Sequence, residues 1–176
     1  MRPLAEPMTG DDCRAEPLTE AHRDLLREAC AEDPDIWEIY YVSYAPEHFD
    51  ASFDALLERP WVPFALFDGD GFVGMSCYLN IDDSRQTLEI GSTYYRPSRR
   101  GTGFNARAKD MMLRHAFDRG YRRVEFRVDG RNQRSQAAMK KLGAVREGVM
   151  RADRITWNGH VRDTVLFAIL KDEWPV

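Results

Sequence analysis

The sequence is short of the residues that build metal sites and disulfide frameworks. Its 176 residues include three cysteines, Cys13, Cys30 and Cys77. The number is odd, the spacing is wide, and no CxxC or Cys/His cluster accompanies them. Neither zinc nor a disulfide scaffold is indicated. What remains is three reduced, partly buried thiols in a cytoplasmic protein. No apolar run approaches the length of a membrane span, and the N-terminus lacks a secretory-signal pattern. Positive charge is not in excess either. Lys and Arg number 25 against 29 Asp and Glu, a net charge of −4. No overall basic field therefore argues for nucleic-acid binding. Internal repeats and low-complexity segments are missing as well.

What is present suits one domain over residues 1–176 with one buried core. Residues 1–12, with two prolines and a glycine, read as a loose lead-in. Thr19 is placed to cap a first helix whose stripe is Leu25, Leu26 and Ala29. An aromatic stretch follows, Trp37, Tyr40, Tyr41 and Tyr44. After Pro46 a second helix presents Phe49, Phe53, Leu56 and Leu57, and Pro60 ends it. Strands are expected over 62–67, 72–79 and 87–95. The Asp68-Gly69-Asp70-Gly71 run makes a hairpin of the first two.

From Gly103 to Arg119 the periodicity turns helical, with Phe104, Ala108, Met111, Met112 and Ala116 on one side and Gly120 at the C-terminal end. A strand over 121–128 follows. A helix between two strands is a crossover, which makes those strands parallel. Asn132 opens a short helix through Leu142, stopped by Gly143. Two strands close the chain around Asn158-Gly159, a type I′ hairpin signal. The last, over 164–170, is apolar enough to be covered on both faces. The fold class is α/β: a mixed sheet of six or seven strands, helices on both faces, one parallel pair at its centre.

Chemistry concentrates at Arg100-Gly101-Thr102-Gly103, between a strand and a helix N-terminus. Glycines let the backbone approach a ligand, and the first helical amides lack intrahelical acceptors. Together they suit an anion such as a pyrophosphate. Arginines crowd the segment from Arg96 to Arg107. An ordinary solvated turn explains the loop about equally well, because short glycine patterns are weak signals. No P-loop run exists. A dinucleotide fingerprint is met by Gly101, Gly103 and Ala106, with Glu125 as the ribose contact. The context opposes it: residues 96–100 intervene after the strand, and the flanking segments are hairpins.

Arg100-x-x-Gly103 resembles the R/Q-x-x-G-x-G/A acyl-CoA signature of the GNAT superfamily, with Asn105 at its final Gly/Ala position. Asn132-x-x-Ser135, Lys141-Leu142-Gly143-Ala144, Glu147-Gly148, Arg151 and Glu173-Trp174 resemble the branch containing ribosomal-protein-alanine N-acetyltransferases. The order of elements extends the resemblance over residues 18–175.

The resemblance implies that the parallel pair is splayed and that acetyl-CoA is the co-substrate. The backbone of Thr93, Tyr94 and Tyr95 would line its pantetheine arm. Amides of Gly101, Thr102, Gly103, Phe104 and Asn105 would hold the pyrophosphate, flanked by Arg100, with Asn132 on the pantetheine. Asn132 is equally a good helix N-cap. Glu89, four residues before Thr93 and on the same strand face, matches the general base of histone-type members. A lone strand glutamate is otherwise a solvated or ion-paired residue. Ser135 matches a serine that protonates the leaving thiolate, or it is a helix first-turn hydroxyl bonded locally.

Trp37, Tyr40, Tyr41, Trp157 and His160 are candidates for an acceptor wall, with core packing the competing role. The acceptor is expected to be a small-molecule amine or a protein N-terminus. No metal, nucleic acid or membrane is called for, and a homodimer is left open. A non-catalytic acyl-CoA sensor would use the same fold.

Overall fold

Alternation of apolar and polar residues builds the sheet, and its turns order the strands. The computed structural model describes residues 3–175. Eight strands form one sheet. They are β1 (Met8–Gly10), β2 (Cys13–Pro17), β3 (Val62–Asp68), β4 (Gly71–Asp82), β5 (Thr87–Tyr95), β6 (Arg123–Asp129), β7 (Val145–Ile155) and β8 (Val161–Leu170). Their spatial order is β1-β2-β3-β4-β5-β6-β8-β7. The six or seven strands expected thus become eight. Met8 to Gly10, assigned to a loose lead-in, is an edge strand paired with β2. Met1 and Arg2 of that lead-in lie outside the described residues. The short β1–β2 hairpin carries little periodicity, so pairing with β3 reveals it where composition does not.

Among the described residues only β5 and β6 pair in parallel, as the crossover argument requires. The crossover is α3 (Phe104–Asp118). It begins at Gly103, in the left-handed region at φ 86°. With α4 (Gln133–Leu142) it covers one face: Phe104, Ala108, Met111, Met112 and Met139 meet Phe64, Tyr78, Phe126 and Phe167 there.

The other face carries α1 (Arg23–Ala31), α2 (Phe49–Glu58) and a 3-10 turn over Pro34–Ile39. Leu26, Trp37, Phe49, Phe53 and Leu56 pack there on Ala65, Met75, Cys77 and Tyr94. Leu25 and Leu57, expected on the buried stripes, are each 39% exposed. Thr19 precedes a one-turn 3-10 segment, Glu20–His22, that leads into α1. All three cysteines are buried and unpaired. Burial pushes the Cys77 thiol up to about 12.

The final hairpin departs from the two-residue turn expected. Thr156 N–H donates to His160 O at 2.9 Å and Gly159 N–H to Thr156 O at 2.9 Å. Three residues therefore form the loop, with Gly159 at φ 83°. That matches a type I turn closed by a left-handed residue.

Candidate active site

The cleft arises where the parallel pair stops pairing. Register between β5 and β6 runs Thr87↔Arg123, Leu88↔Val124, Glu89↔Glu125 and goes no further. Beyond Glu89 the strands diverge. On its other side β5 is irregular: Met75↔Tyr94 and Cys77↔Gly91 leave an extra residue in β5, and Ser92 sits at φ 49°. A bulge of this kind bends a strand. The result is a cavity of about 1120 Å³ bounded by the fork, α3 and α4.

Glu89 stands at the fork and is 4% exposed. Asn80 Nδ2 donates to its Oε2 at 2.6 Å, and Arg127 Nε lies 3.4 Å from the same oxygen. Burial raises its pKa, with Arg127 and Arg154 opposing the shift. Gly91 makes room for this carboxyl: a Cβ there would lie 2.8 Å from Glu89 Oε1. A buried acid with an elevated pKa in a cleft is the electrostatic condition for general-base work.

At the far end of β5 lies the glycine loop. Ala106 N–H bonds to Gly103 O at 3.1 Å, whereas the amides of residues 101–105 have no acceptor among the described residues. Gly101 and Gly103 take φ 78° and 86°, and a Cβ on either would meet nothing of the chain within 4 Å. Free amides beside two glycines with open space around them fit a diphosphate.

The neighbouring arginines are committed elsewhere. Arg96 pairs with Glu32, and Arg99 and Arg107 approach Asp68 at 3.5 and 3.4 Å. Arg100 turns inward: its Nε donates to Tyr95 O at 2.9 Å and its Nη1 pairs with Asp33. It braces the end of β5 and also lines the cleft, with its Nη2 buried and without a hydrogen bond.

Asn132 Oδ1 accepts from Ser135 N–H at 2.9 Å, so Asn132 does cap α4. Its Nδ2 and the Ser135 hydroxyl have no partner among the described residues, and both residues line the cleft. Thr93, Tyr95, Gly101, Gly103 and Asn105 line it too. Tyr94 does not: it is buried on the opposite side, stacked on Trp37 at 4.9 Å, with its hydroxyl donating to Ala29 O at 2.6 Å. The Phe104 ring is core, and Thr102 is exposed outside the cleft.

The aromatic wall divides. Tyr40 and Tyr41 line the cleft, and Tyr40 Oη donates to Thr93 O at 2.8 Å. Trp37 is 1% exposed and belongs to the core. Trp157 lines a separate, smaller cavity beside His48 and donates from Nε1 to Trp37 O at 2.8 Å. His160 lines neither cavity. Packing claims Trp37, and the hairpin tip ties itself to the 37–41 segment.

Several cleft residues escape a reading of the sequence. Lys109 sits on the buried face of α3, 3% exposed, and its Nζ donates to Thr93 Oγ1 at 2.7 Å. Burial brings it down to about 7. Its signal was a lysine beside Ala108 on an apolar helical stripe. Asn80, Arg127, Arg154 and Arg162 reach the cleft through strand register, which no local pattern displays.

This fork, with a strand bent on one side and a free-amide loop at its end, is the geometry of an acyl-transfer fold. Residues 14–145 match the family model of the acetyltransferase (GNAT) domain. The chain belongs to the GNAT acetyltransferase family, and acetyl transfer is the activity that membership carries. A T. thermophilus protein with a provisional acetyltransferase description is similar at 35% identity, covering 99% of this chain and 94% of that one, TM-score 0.89. A GCN5-related N-acetyltransferase from Brucella melitensis is similar at 29% identity, 98% and 82% coverage, TM-score 0.86. Mycobacterium smegmatis RimJ in complex with CoA-disulfide shares the fold at 21% identity, 100% and 93% coverage, TM-score 0.85. No curated protein matches the sequence significantly. Among the described residues no helix is long and apolar enough to cross a membrane.

Proposed function

We propose that the chain transfers the acetyl group of acetyl-CoA to a primary amine, on a small molecule or a protein N-terminus, by direct attack in a ternary complex. The observation that carries this is Glu89: a buried acid with a raised pKa at the fork of β5 and β6. Bound acetyl-CoA supplies an acyl group already activated as a thioester. The free amides of residues 101–105 hold its diphosphate. Asn132 Nδ2 and the backbone of residues 93–95 receive the pantetheine, while Arg100 keeps that strand end in place.

An alkyl amine has a pKa of about 10 and is mostly protonated near neutrality. Glu89 removes its proton, directly or through one water. A backbone amide of residues 93–95 donates to the oxyanion that develops, and Ser135 Oγ, which has no other partner among the described residues, returns a proton to the thiolate. Tyr40 and Tyr41 form the acceptor side, and Tyr40 also fixes the Thr93 carbonyl. None of the cysteines lines the cleft, which supports a path without an acyl-enzyme. The three unpaired thiols support a reducing, cytoplasmic setting.

The test is thiol release from acetyl-CoA across a panel of amines. Turnover with at least one amine is expected. Tight acetyl-CoA binding without turnover of any amine would mean a sensor instead.

A further inference from the structure

The α1–α2 core draws only on strands β3 to β5. On the same face, the strands beyond the fork are free of helix and carry three arginines into the cleft. Arg127 comes from β6, Arg162 from β8 and Arg154 from β7. Arg154 and Arg162 are direct cross-strand partners. Like charges facing each other across a ladder are destabilising unless an anion lies between them.

The resident acids answer only part of this charge: Arg154 and Arg127 have carboxylate partners, and Arg162 has none among the described residues. Asp153 Oδ2 is already shared by Arg154 Nε at 3.0 Å and the Thr164 hydroxyl at 2.8 Å. Glu125 is divided between Arg123 at 3.1 Å and Arg127 at 3.2 Å. Asp129 is taken by Arg131. Arg162 has no carboxylate in ion-pair contact among the described residues, although it is 5% exposed. Its Nε donates to Thr164 Oγ1 and its Nη2 to Arg127 O, each at 3.0 Å, leaving Nη1 unpartnered. Arg127 Nε is buried without a hydrogen bond. Burial, then the charge of Arg154, lowers the Arg162 pKa. A buried guanidinium without a counter-ion is costly, and folded proteins keep such groups where a ligand completes them.

Resting on the amine-acetylation reading above, we infer that the acceptor amine itself carries a carboxylate, which Arg127, Arg154 and Arg162 receive. The anion cannot be a phosphate of the acyl donor held at the loop, because that loop lies at the other end of β5 from Glu89. Arg127 lies 3.4 Å from the proposed base, so the anion belongs within a few bonds of the reacting nitrogen. A free amino acid supplies it as the α-carboxylate. A peptide N-terminus supplies it as an acidic first side chain.

Matched acceptors separate these sources. One arm compares amino acids with their carboxamides. The other compares peptides beginning with Asp or Glu with those beginning with Asn or Gln. Thiol release gives the ratio of kcat/KM, acid over amide. The native chain should show a ratio of about 10 or more in one arm, the scale of a charge-assisted pair kept or lost. The ratio should fall toward one in R154Q and in R162Q, with partial recovery in R162K. If R162Q does not fold, R154Q decides, because Arg154 is partly exposed. Equal use of acid and amide, a ratio unchanged in R154Q, or preference for a phosphate-bearing amine would each overturn the inference. So would calorimetric acetyl-CoA binding with turnover of no acid-bearing amine. Failure to bind acetyl-CoA would instead overturn the transferase reading beneath it.

Discussion

Lys109 Nζ donates to Thr93 Oγ1 at 2.7 Å, with Ser76 Oγ at 3.3 Å, and no carboxylate reaches ion-pair contact with it among the described residues. The Thr93 and Ser76 hydroxyls are themselves bonded at 2.7 Å. One lysine thus holds the bulge of β5 on the wall of the cleft. Burial lowers its pKa from 10.5 to about 7. Between those values the unfolded chain binds the proton and the folded chain does not, so this group makes stability rise with pH through that window. The melting temperature of the native chain, less that of Lys109→Met, should therefore increase from about pH 6 to about pH 9. A flat difference would mean that Lys109 stays charged in its pocket.

Gly103 offers a test of the loop. Its φ of 86° strains any residue with a side chain, and a Cβ there meets no protein atom. Gly103→Val should lower the melting temperature modestly, because a left-handed non-glycine residue costs roughly 1–2 kcal/mol. It should lose acetyl-CoA affinity by about 100-fold or more, since the side chain fills the approach to the free amides. Calorimetry showing unchanged affinity would move the diphosphate elsewhere.

Much of this fold could be read locally. The crossover helix, its parallel strands and the closing hairpin each carry their own periodicity. So did the Asn132 cap and the glycine loop, where chemistry and backbone geometry share residues. Harder to see were features made by register. Glu89 lines the cleft because pairing with β6 stops beside it, and Arg162 faces Arg154 because of a cross-strand match 8 residues apart in sequence. The arginine cluster before α3 misled in another way. Composition placed positive charge there, but Glu32, Asp33 and Asp68 arrive from distant segments and occupy it.

The aromatic residues divide into two predictions. Trp37 is buried among Tyr40, Tyr44 and Tyr94. Trp37→Ala should cost about 3–5 kcal/mol of stability, as large core truncations do. Tyr41 is 39% exposed, with the Arg154 guanidinium 5.1 Å from its ring. Tyr41→Ala should melt close to the native chain while raising the acceptor KM severalfold and sparing acetyl-CoA binding. Denaturation curves beside steady-state kinetics read both; an early melt with native kinetics for Tyr41→Ala would return that residue to the structure.

The last prediction concerns Glu89. Burial raises its pKa above the ordinary carboxylate value, and the proposed base is the ionised form. The rate should therefore fall on the acid side as Glu89 takes up a proton, at a pH above the usual carboxylate range. Glu89→Gln should lower kcat by about 10²–10⁴-fold and abolish that acid limb. Acetyl-CoA affinity should change little, because the free amides lie at the other end of β5. Stability supplies an independent readout of the same group. Between the ordinary and the raised pKa the folded chain holds the proton that the unfolded chain has released. The stabilisation this gives is present in acid and lost as pH rises through the raised value. Glu89→Gln escapes that loss, so its melting temperature should gain on the native chain as pH rises. Near-native kcat across the pH range would remove Glu89 from the chemistry. Catalysis would then rest on a neutral amine and the positioning of two substrates in the fork.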